Sequence, residues 1–442
     1  MSGGADDMSP TPSPSPALRG EGNTRRAILG AAAALPLAAC SQQTPTIVVG
    51  AGVFGAWTAE HLRRKGKRVI LVDQMGAANA RASSGGESRM TRGTYGPDEI
   101  YTRMALASLE EWKRLSARSP LPLFHNAGVL FCFQEMIDYA RDSIAVHERL
   151  HLPLERIDAP ALRTRWPQMN FDGIAFGLFE PEFGALMARR GVEETVARFV
   201  RAGGEYMLAR AEPGANGGSV VLDGQPYDAA AVVWACGPWL PKVFPDVLGE
   251  RIFVTRQEVA FIAPPDGDDS FEASRLPGWA DFNNGDLYYG FPNLEGRGFK
   301  IARDTHGERF DPDTGDRRIT EEGAALLRAF AERRFPALAS RPFTEFRVCQ
   351  YENSSNGDFL IDRHPTLEGA YLLGGGSGHG FKHGPEVGRM MAELVVNGTE
   401  PDQRFSLASK QTVQARRRAL IWTAGVSPAC AGVGRRDAGG PY

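Results

Sequence analysis

The residues best equipped for chemistry cluster between Arg347 and Lys382. Cys349 and Tyr351 come first, followed by Asp358-Phe-Leu-Ile-Asp362-Arg-His364-Pro365 and an apolar Ala370-Tyr-Leu-Leu run. Gly374-Gly-Gly376-Ser-Gly378-His379-Gly380-Phe381-Lys382 ends the stretch. A thiol, a glycine-rich turn and a lysine opening a helix, this close together, suggest a flavin held from two sides and a lysine that reaches the substrate. A second stretch, Ser83-Ser84-Gly85-Gly86-Glu87-Ser88-Arg89-Met90-Thr91-Arg92, carries two arginines three residues apart. That spacing makes them neighbours on a helical turn, where two guanidinium groups can face an anion.

Further elements must position these groups. Thr46-Ile-Val-Val49 is a short buried strand, and Gly50-Ala-Gly52-Val53-Phe54-Gly55 follows it and opens a helix that runs to about Lys65. A second strand, Arg68–Val72, ends at Asp73. The first glycine makes a tight turn, the second lets the backbone approach a pyrophosphate, and the third allows close helix–strand packing. The helix N-terminus favours the negative charge, and Asp73 is suited to a ribose diol. This context predicts dinucleotide binding, with FAD and NAD not separated by position alone.

Helices are expected near Tyr101–Leu115, over 136–150 and over Ala188–Ala202, and strands at Gly128–Phe133, Tyr206–Ala209 and Ala230–Ala235. From Phe253 to about Arg347 the pattern is strand-rich, with one helix at Glu321–Phe335. The later strands of a βαβ unit thus arrive from distant parts of the chain. The expected fold is α/β, in two domains: a Rossmann-like cofactor domain (45–95, 185–245 and 345–405) and a discontinuous, mainly antiparallel β substrate domain (96–184 and 246–344).

The composition excludes other classes. In 442 residues the net charge is −3, and no basic stripe stands out, so nucleic acid is not an expected partner. Five widely spaced cysteines offer neither a disulfide framework nor a CxxC-type metal site, and no metal is expected. Cys132 and Cys236 read as core residues and His379 as structural. Residues 1–44 are read as a disordered leader, in which Arg25-Arg26 and the apolar run from Ala27 to Ala39 resemble a twin-arginine export signal. Leu37-Ala-Ala-Cys40 resembles a lipoprotein cleavage site, which makes Cys40 the expected lipidation site. The expectation is an exported, periplasmic or membrane-anchored protein; the alternative is a random Ala-rich leader on a cytoplasmic one. Residues 408–442 read as an unstructured tail.

With the Arg89/Arg92 stretch, the sequence from roughly Thr46 to Leu407 resembles the monomeric sarcosine oxidase and N-methyl amino acid oxidase family, within the D-amino-acid-oxidase-type FAD-dependent oxidoreductases. Four patches carry the resemblance in order. The first, Gly50 to Asp73, would bind the ADP half of FAD. In the second, Arg89 would lie against the isoalloxazine and Arg92 would hold a substrate carboxylate. The third, Tyr288-Tyr289-Gly-Phe-Pro292 with Gly298-Phe-Lys300, implies that Tyr289 lines the substrate pocket and Lys300 activates oxygen. In the fourth, Cys349 matches the cysteine that carries FAD through an 8α-thioether, and Lys382 matches a second carboxylate ligand. The implied cofactor set is completed by Ser84, Ser88, Gly237, Gly376, Gly378 and Gly380.

These parts have a physical logic. Oxidising an amine requires its α-carbon to be held over the flavin, a positioning task suited to Arg92 and Lys382. A cation at Lys300 would stabilise negative charge developing on oxygen. Two departures bear on the substrate: Gly85 and Asp304 stand where sarcosine-oxidising relatives carry histidines. An acid at 304 favours a cationic group and disfavours a second carboxylate, so a larger or cationic N-substituted amino acid is expected in place of sarcosine. The implied reaction converts a secondary (N-methyl) or cyclic amino acid to an imine, with reduction of oxygen to hydrogen peroxide. Its rivals are a dehydrogenase of the same fold passing electrons to a quinone or carrier, and a non-catalytic flavoprotein acting as an assembly factor. Oligomeric state is not legible.

Overall fold

The structure, a computed structural model, describes residues 43–412. The leader up to residue 42, with the lipidation site at Cys40, and the tail beyond residue 412 lie outside the described residues.

The nucleotide-binding motif sits in a six-stranded sheet. Its order is Leu360–Arg363, Ala370–Gly374, Ala231–Trp234, Thr46–Val49, Val69–Asp73 and Glu205–Leu208. Thr46–Val49 pairs in parallel with both neighbours, Thr46 facing Ala231 on one side and Val69 on the other. Only Leu360–Arg363 runs antiparallel to its partner. Because alternate side chains point to opposite faces, apolar strands of this kind must be covered twice. Val48, Leu71, Val233 and Leu373 join one core with the helices Val53–Arg64, Ala188–Arg201 and Gly384–Asn397. Ile47, Val49, Val72, Val232 and Leu372 join a second core. That core is closed by Val220 and Leu222 of a three-stranded antiparallel sheet, Ala211–Pro213, Ser219–Leu222 and Gln225–Asp228.

The second large sheet has eight strands, in the order Phe343–Ser354, Ile252–Ile262, Phe299–Arg303, Tyr288–Phe291, Gly278–Asp281, Val129–Phe133, Phe176–Glu180 and Glu155–Asp158. Every pairing is antiparallel except that of Gly278–Asp281 with Val129–Phe133. The fold is thus the expected α/β arrangement of a Rossmann-like sheet beside a mainly antiparallel one. Leu130, Trp279, Tyr288, Phe299 and Ile301 face the helix Glu321–Arg334 and pack on Leu327 and Phe330. The Arg334 guanidinium donates to Asp281 Oδ2 at 2.7 Å, and both side chains are buried, locking helix to sheet. Phe343–Ser354 belongs to this sheet, although the sequence grouped residues from 345 onward with the cofactor-binding part. Its end nevertheless reaches the glycine-rich turn that follows Ala370–Gly374 of the six-stranded sheet, since Ser377 N donates to Glu352 O at 2.8 Å.

One local expectation is corrected. Arg89 and Arg92 do not share a helical turn. Ser88–Thr91 is a strand paired antiparallel with Gly184–Met187, and Arg92 lies just past its end. Strand pairing overrides the spacing argument here. Two residues three apart on a strand point to opposite faces, so the two guanidinium groups have different surroundings.

Candidate active site

A cavity of about 740 Å³ opens along the C-terminal ends of the parallel strands. Gly50, Gly52, Val53 and Phe54 line one wall, with Asp73 at the end of the second strand. Ser84, Arg89 and Gly237 line it as well, and so do Gly376, Gly378 and Gly380, the first and last of which pack against the Phe54 ring. Gly50 has φ +106°, and a Cβ there would lie 2.2 Å from the Ala235 carbonyl oxygen. Gly55 lies outside the lining, where a Cβ would sit 1.8 Å from Gly50 O, so its hydrogen keeps helix and turn in contact. Asp73 Oδ2 accepts from Ala51 N and Oδ1 from Met75 N, both at 2.8 Å, which aligns the carboxylate with the glycine turn. Burial raises its pKa against those donors. The glycine turn, the acid and the elongated cavity fit FAD. Glu352 adds a further buried acid on the cavity wall, with Oε1 lacking a hydrogen-bond partner. Burial pushes it up to about 8.

A smaller pocket of about 70 Å³ adjoins this cavity and shares Arg89, Tyr351, Gly378 and Phe381 with it. Its main wall is one face of the eight-stranded sheet. Strand register explains the assembly: Tyr289 lies opposite Ala302, Phe291 opposite Lys300, Gln257 opposite Cys349 and Ala280 opposite Phe131. The period of two turns Tyr288, Phe299 and Ile301 into the core and leaves Tyr289, Lys300 and Ala302 on the pocket side. Cys349 and Tyr351 share that face, and Asp304 follows the end of its strand.

Arg92 and Lys382 close the far side of this pocket. Arg92 is buried, donates to Thr94 O and to Tyr139 Oη (3.1 Å), and stacks 3.9 Å over the Tyr95 ring. Lys382 Nζ donates to Tyr95 Oη and to the His379 carbonyl, each at 2.8 Å. Tyr95 Oη in turn bonds His383 Nε2 at 2.7 Å. Burial, then Arg92, holds the Lys382 ammonium well below its ordinary pKa. Arg89 faces the cofactor cavity, its guanidinium donating to Ser88 O and Ser83 O.

Lys300 is buried, and its Nζ donates to Ser88 O at 2.9 Å and Ser88 Oγ at 3.3 Å. Burial, with Arg89 next in effect, lowers it to about 7. Asp304 is partly exposed to the pocket, and its Oδ1 accepts from Tyr351 Oη at 2.8 Å. Burial raises it to about 7, against Tyr351, Arg92 and Lys382. Cys349 is partly exposed on the same wall.

Every site residue expected from sequence within the described region thus lies in one of the two adjoining spaces, apart from Gly55 and Ser88, which pack directly behind them. Sequence reasoning passed over Tyr139, Tyr95, Glu352 and Lys242. Lys242 salt-bridges Asp311 and Asp313, and Trp239 Nε1 donates to Asp313 at 2.7 Å. Those contacts bind the loop after Phe310 across the mouth of the cofactor cavity, which Asp313, Lys242 and Trp239 all line.

Comparison with known proteins agrees with this geometry. Residues 46–394 match the family model described as "FAD dependent oxidoreductase". The chain is 31% identical to a monomeric sarcosine oxidase of Streptomyces avermitilis over 365 residues, covering 80% of this chain and 94% of that one. It is 28% identical to an N-methyl-L-tryptophan oxidase of Salmonella arizonae over 362 residues, covering 80% and 95%. Among solved structures, an L-proline dehydrogenase from P. horikoshii superposes with a TM-score of 0.72 at 18% identity, covering 83% of this chain and 97% of that one. The glycine turn with Asp73, the long cavity beside it and the family match over both sheets lead to one conclusion: the chain belongs to the FAD-dependent oxidoreductase family, in the branch of the D-amino-acid-oxidase type.

Proposed function

We propose that this protein oxidises the C–N bond of a secondary (N-methyl) or cyclic amino acid to an imine, with oxygen as the final acceptor and hydrogen peroxide as the product. FAD, when bound, supplies the two-electron chemistry; the chain supplies binding, orientation and charge. The observation that carries the reading is the pair of buried basic side chains, Arg92 and Lys382, in a small pocket that opens onto the cofactor cavity. A carboxylate held there is fixed at one end, and the rest of the substrate is directed past Tyr289 and Tyr351 toward the shared wall. Phe131, Tyr139, Phe282 and Leu287 exclude water around it and add apolar contact.

Lys382 begins with a depressed pKa, so a substrate carboxylate, which favours the ammonium form, raises its proton affinity on binding. Lys300 holds a proton close to neutral pH and offers a cation where oxygen gains negative charge. That lysine favours the oxidase over the dehydrogenase alternative. Cys349, partly exposed on the wall of the smaller pocket two residues from Tyr351, which lines both spaces, is the proposed point of covalent attachment for FAD. For location, the Arg25-Arg26 and Cys40 patterns support export and lipid anchoring; Cys40→Ala should move the protein from membrane to soluble fractions.

The test of function is a screen of N-methyl and cyclic amino acids for anaerobic bleaching of the flavin band, followed by admission of air. Bleaching with stoichiometric peroxide is expected. Reoxidation only by a quinone or carrier would favour the dehydrogenase.

A further inference from the structure

Asp304 is the one carboxylate lining the smaller pocket apart from Glu258, which is occupied by Arg256 Nη2 at 2.7 Å and by Thr320 N at 2.8 Å. Asp304 differs in having only one oxygen engaged. Oδ1 accepts from Tyr351 Oη, while its backbone N–H is tied to Leu287 O at 2.8 Å, so the residue is fixed at both its main chain and its side chain. It sits within the electrostatic reach of Arg92 and Lys382, whose own hydrogen bonds go to Thr94 O, Tyr139 Oη, Tyr95 Oη and His379 O. The pocket therefore has two basic side chains and an acid in its walls that are not paired with one another.

An amino acid reaches such a pocket as a zwitterion, because an aliphatic ammonium keeps its proton up to a pH of about 10. Two-electron oxidation at the adjacent carbon requires the nitrogen lone pair, so that proton must leave first. We infer that Asp304 receives the substrate ammonium while Arg92 and Lys382 hold the carboxylate, and that its carboxylate accepts the proton before oxidation. The step balances: the N–H bond breaks, an O–H bond forms on Asp304, and the neutral secondary amine remains with its lone pair free. The inference rests on the amine-oxidation reading and names the cation that the acid at 304 was expected to favour as the substrate's own ammonium. Substrates lacking a carboxylate would lose the anchor, and substrates with a second carboxylate would meet Asp304 with like charge.

The groups around Asp304 suit a proton acceptor. Tyr351 donates to it, and the Tyr289 hydroxyl lies 3.5 Å from that of Tyr351, reaching over the two strands between them. Cys349 faces the same wall, and the His306 ring packs against Tyr351 from the segment that follows Asp304. Arg303, its immediate neighbour, is already engaged by Asp286 at 2.7 Å. Arg92 and Lys382 favour the ionised form and burial favours the neutral one; their balance leaves Asp304 near the pH at which a base works best.

The experiment is anaerobic rapid-mixing reduction of the flavin across pH 6–10, comparing wild type with Asp304→Asn. The amide oxygen can still accept from Tyr351, and flavin content measured beforehand checks folding. The limiting rate over substrate affinity should rise through about pH 7 in wild type as Asp304 ionises. In Asp304→Asn that limb should vanish, with a drop of about 10²-fold or more at pH 7. The gap should narrow toward pH 10, where free amine is supplied by solution. Because oxygen is absent, titration of Lys300 in the oxygen reaction does not enter. An unchanged profile at full flavin content would overturn the inference, and so would a loss equal at every pH, which belongs to a residue that only binds. If no secondary amino acid reduces even the wild-type flavin, the amine-oxidation reading fails, and this inference fails with it.

Discussion

Lys300 shows how a single burial decision sets chemistry. Its Nζ is held by Ser88 and by no carboxylate, so burial, helped by Arg89 and only partly countered by Glu87, brings the pKa down to about 7. A lowered lysine is charged below that pH and neutral above it. The reaction of the reduced enzyme with oxygen should therefore slow as pH rises through about 7. Lys300→Met should slow it by about 10²–10³-fold at pH 6 and remove the pH dependence, as read by stopped-flow reoxidation. Reduction of the flavin by substrate in the same variant should change far less. Cys349 makes a separate prediction. If it tethers the flavin, acid precipitation leaves the yellow colour in the pellet of the wild type and in the supernatant of Cys349→Ser.

At the scale of elements, the glycine turn and the pocket face follow different rules. Gly50→Ala puts a Cβ 2.2 Å from Ala235 O on a backbone with φ +106°, so it should abolish flavin retention in the purified protein. Asp73, Gly50 and Gly55 were legible because a strand, a turn and a helix lie consecutively in the chain. The pocket face was legible only in part. Tyr289 and Lys300, and the role given to Cys349, came from a family resemblance, but their common face comes from strand register that no local spacing reveals. The Arg89/Arg92 pair shows the opposite failure: a spacing suited to a helix was overruled by pairing with Gly184–Met187. Tyr139 was missed because its contact with Arg92 joins residues 47 apart. Lys242 was missed for the same reason, since it meets Asp311 and Asp313 some 70 residues on. Its ion pairs are exposed and contribute little to stability alone, but they span the cavity mouth. Lys242→Ala in a Cys349→Ser background should speed flavin release severalfold, measured by fluorescence recovery of free flavin.

In the described body as a whole, two sheets share the work: one holds the nucleotide motif, and the other presents the pocket wall. Their stability rests on buried apolar faces and on a few ion pairs excluded from water. Arg334 and Asp281 are the clearest of these, with side chains 1% and 0% exposed. Arg334→Met leaves a buried carboxylate without its partner and should destabilise the protein by about 3–5 kcal/mol in chemical denaturation. The site itself lies on the pocket side of the sheet, so activity per folded flavin should be kept. The central claim concerns the reaction, and anaerobic titration of the purified flavoprotein with N-methyl and cyclic amino acids tests it most directly. Loss of the flavin absorption band with at least one of them, restored by air with an equal amount of hydrogen peroxide, is the result expected. A flavin band unmoved by every secondary amino acid, in protein with full flavin content, would contradict the account.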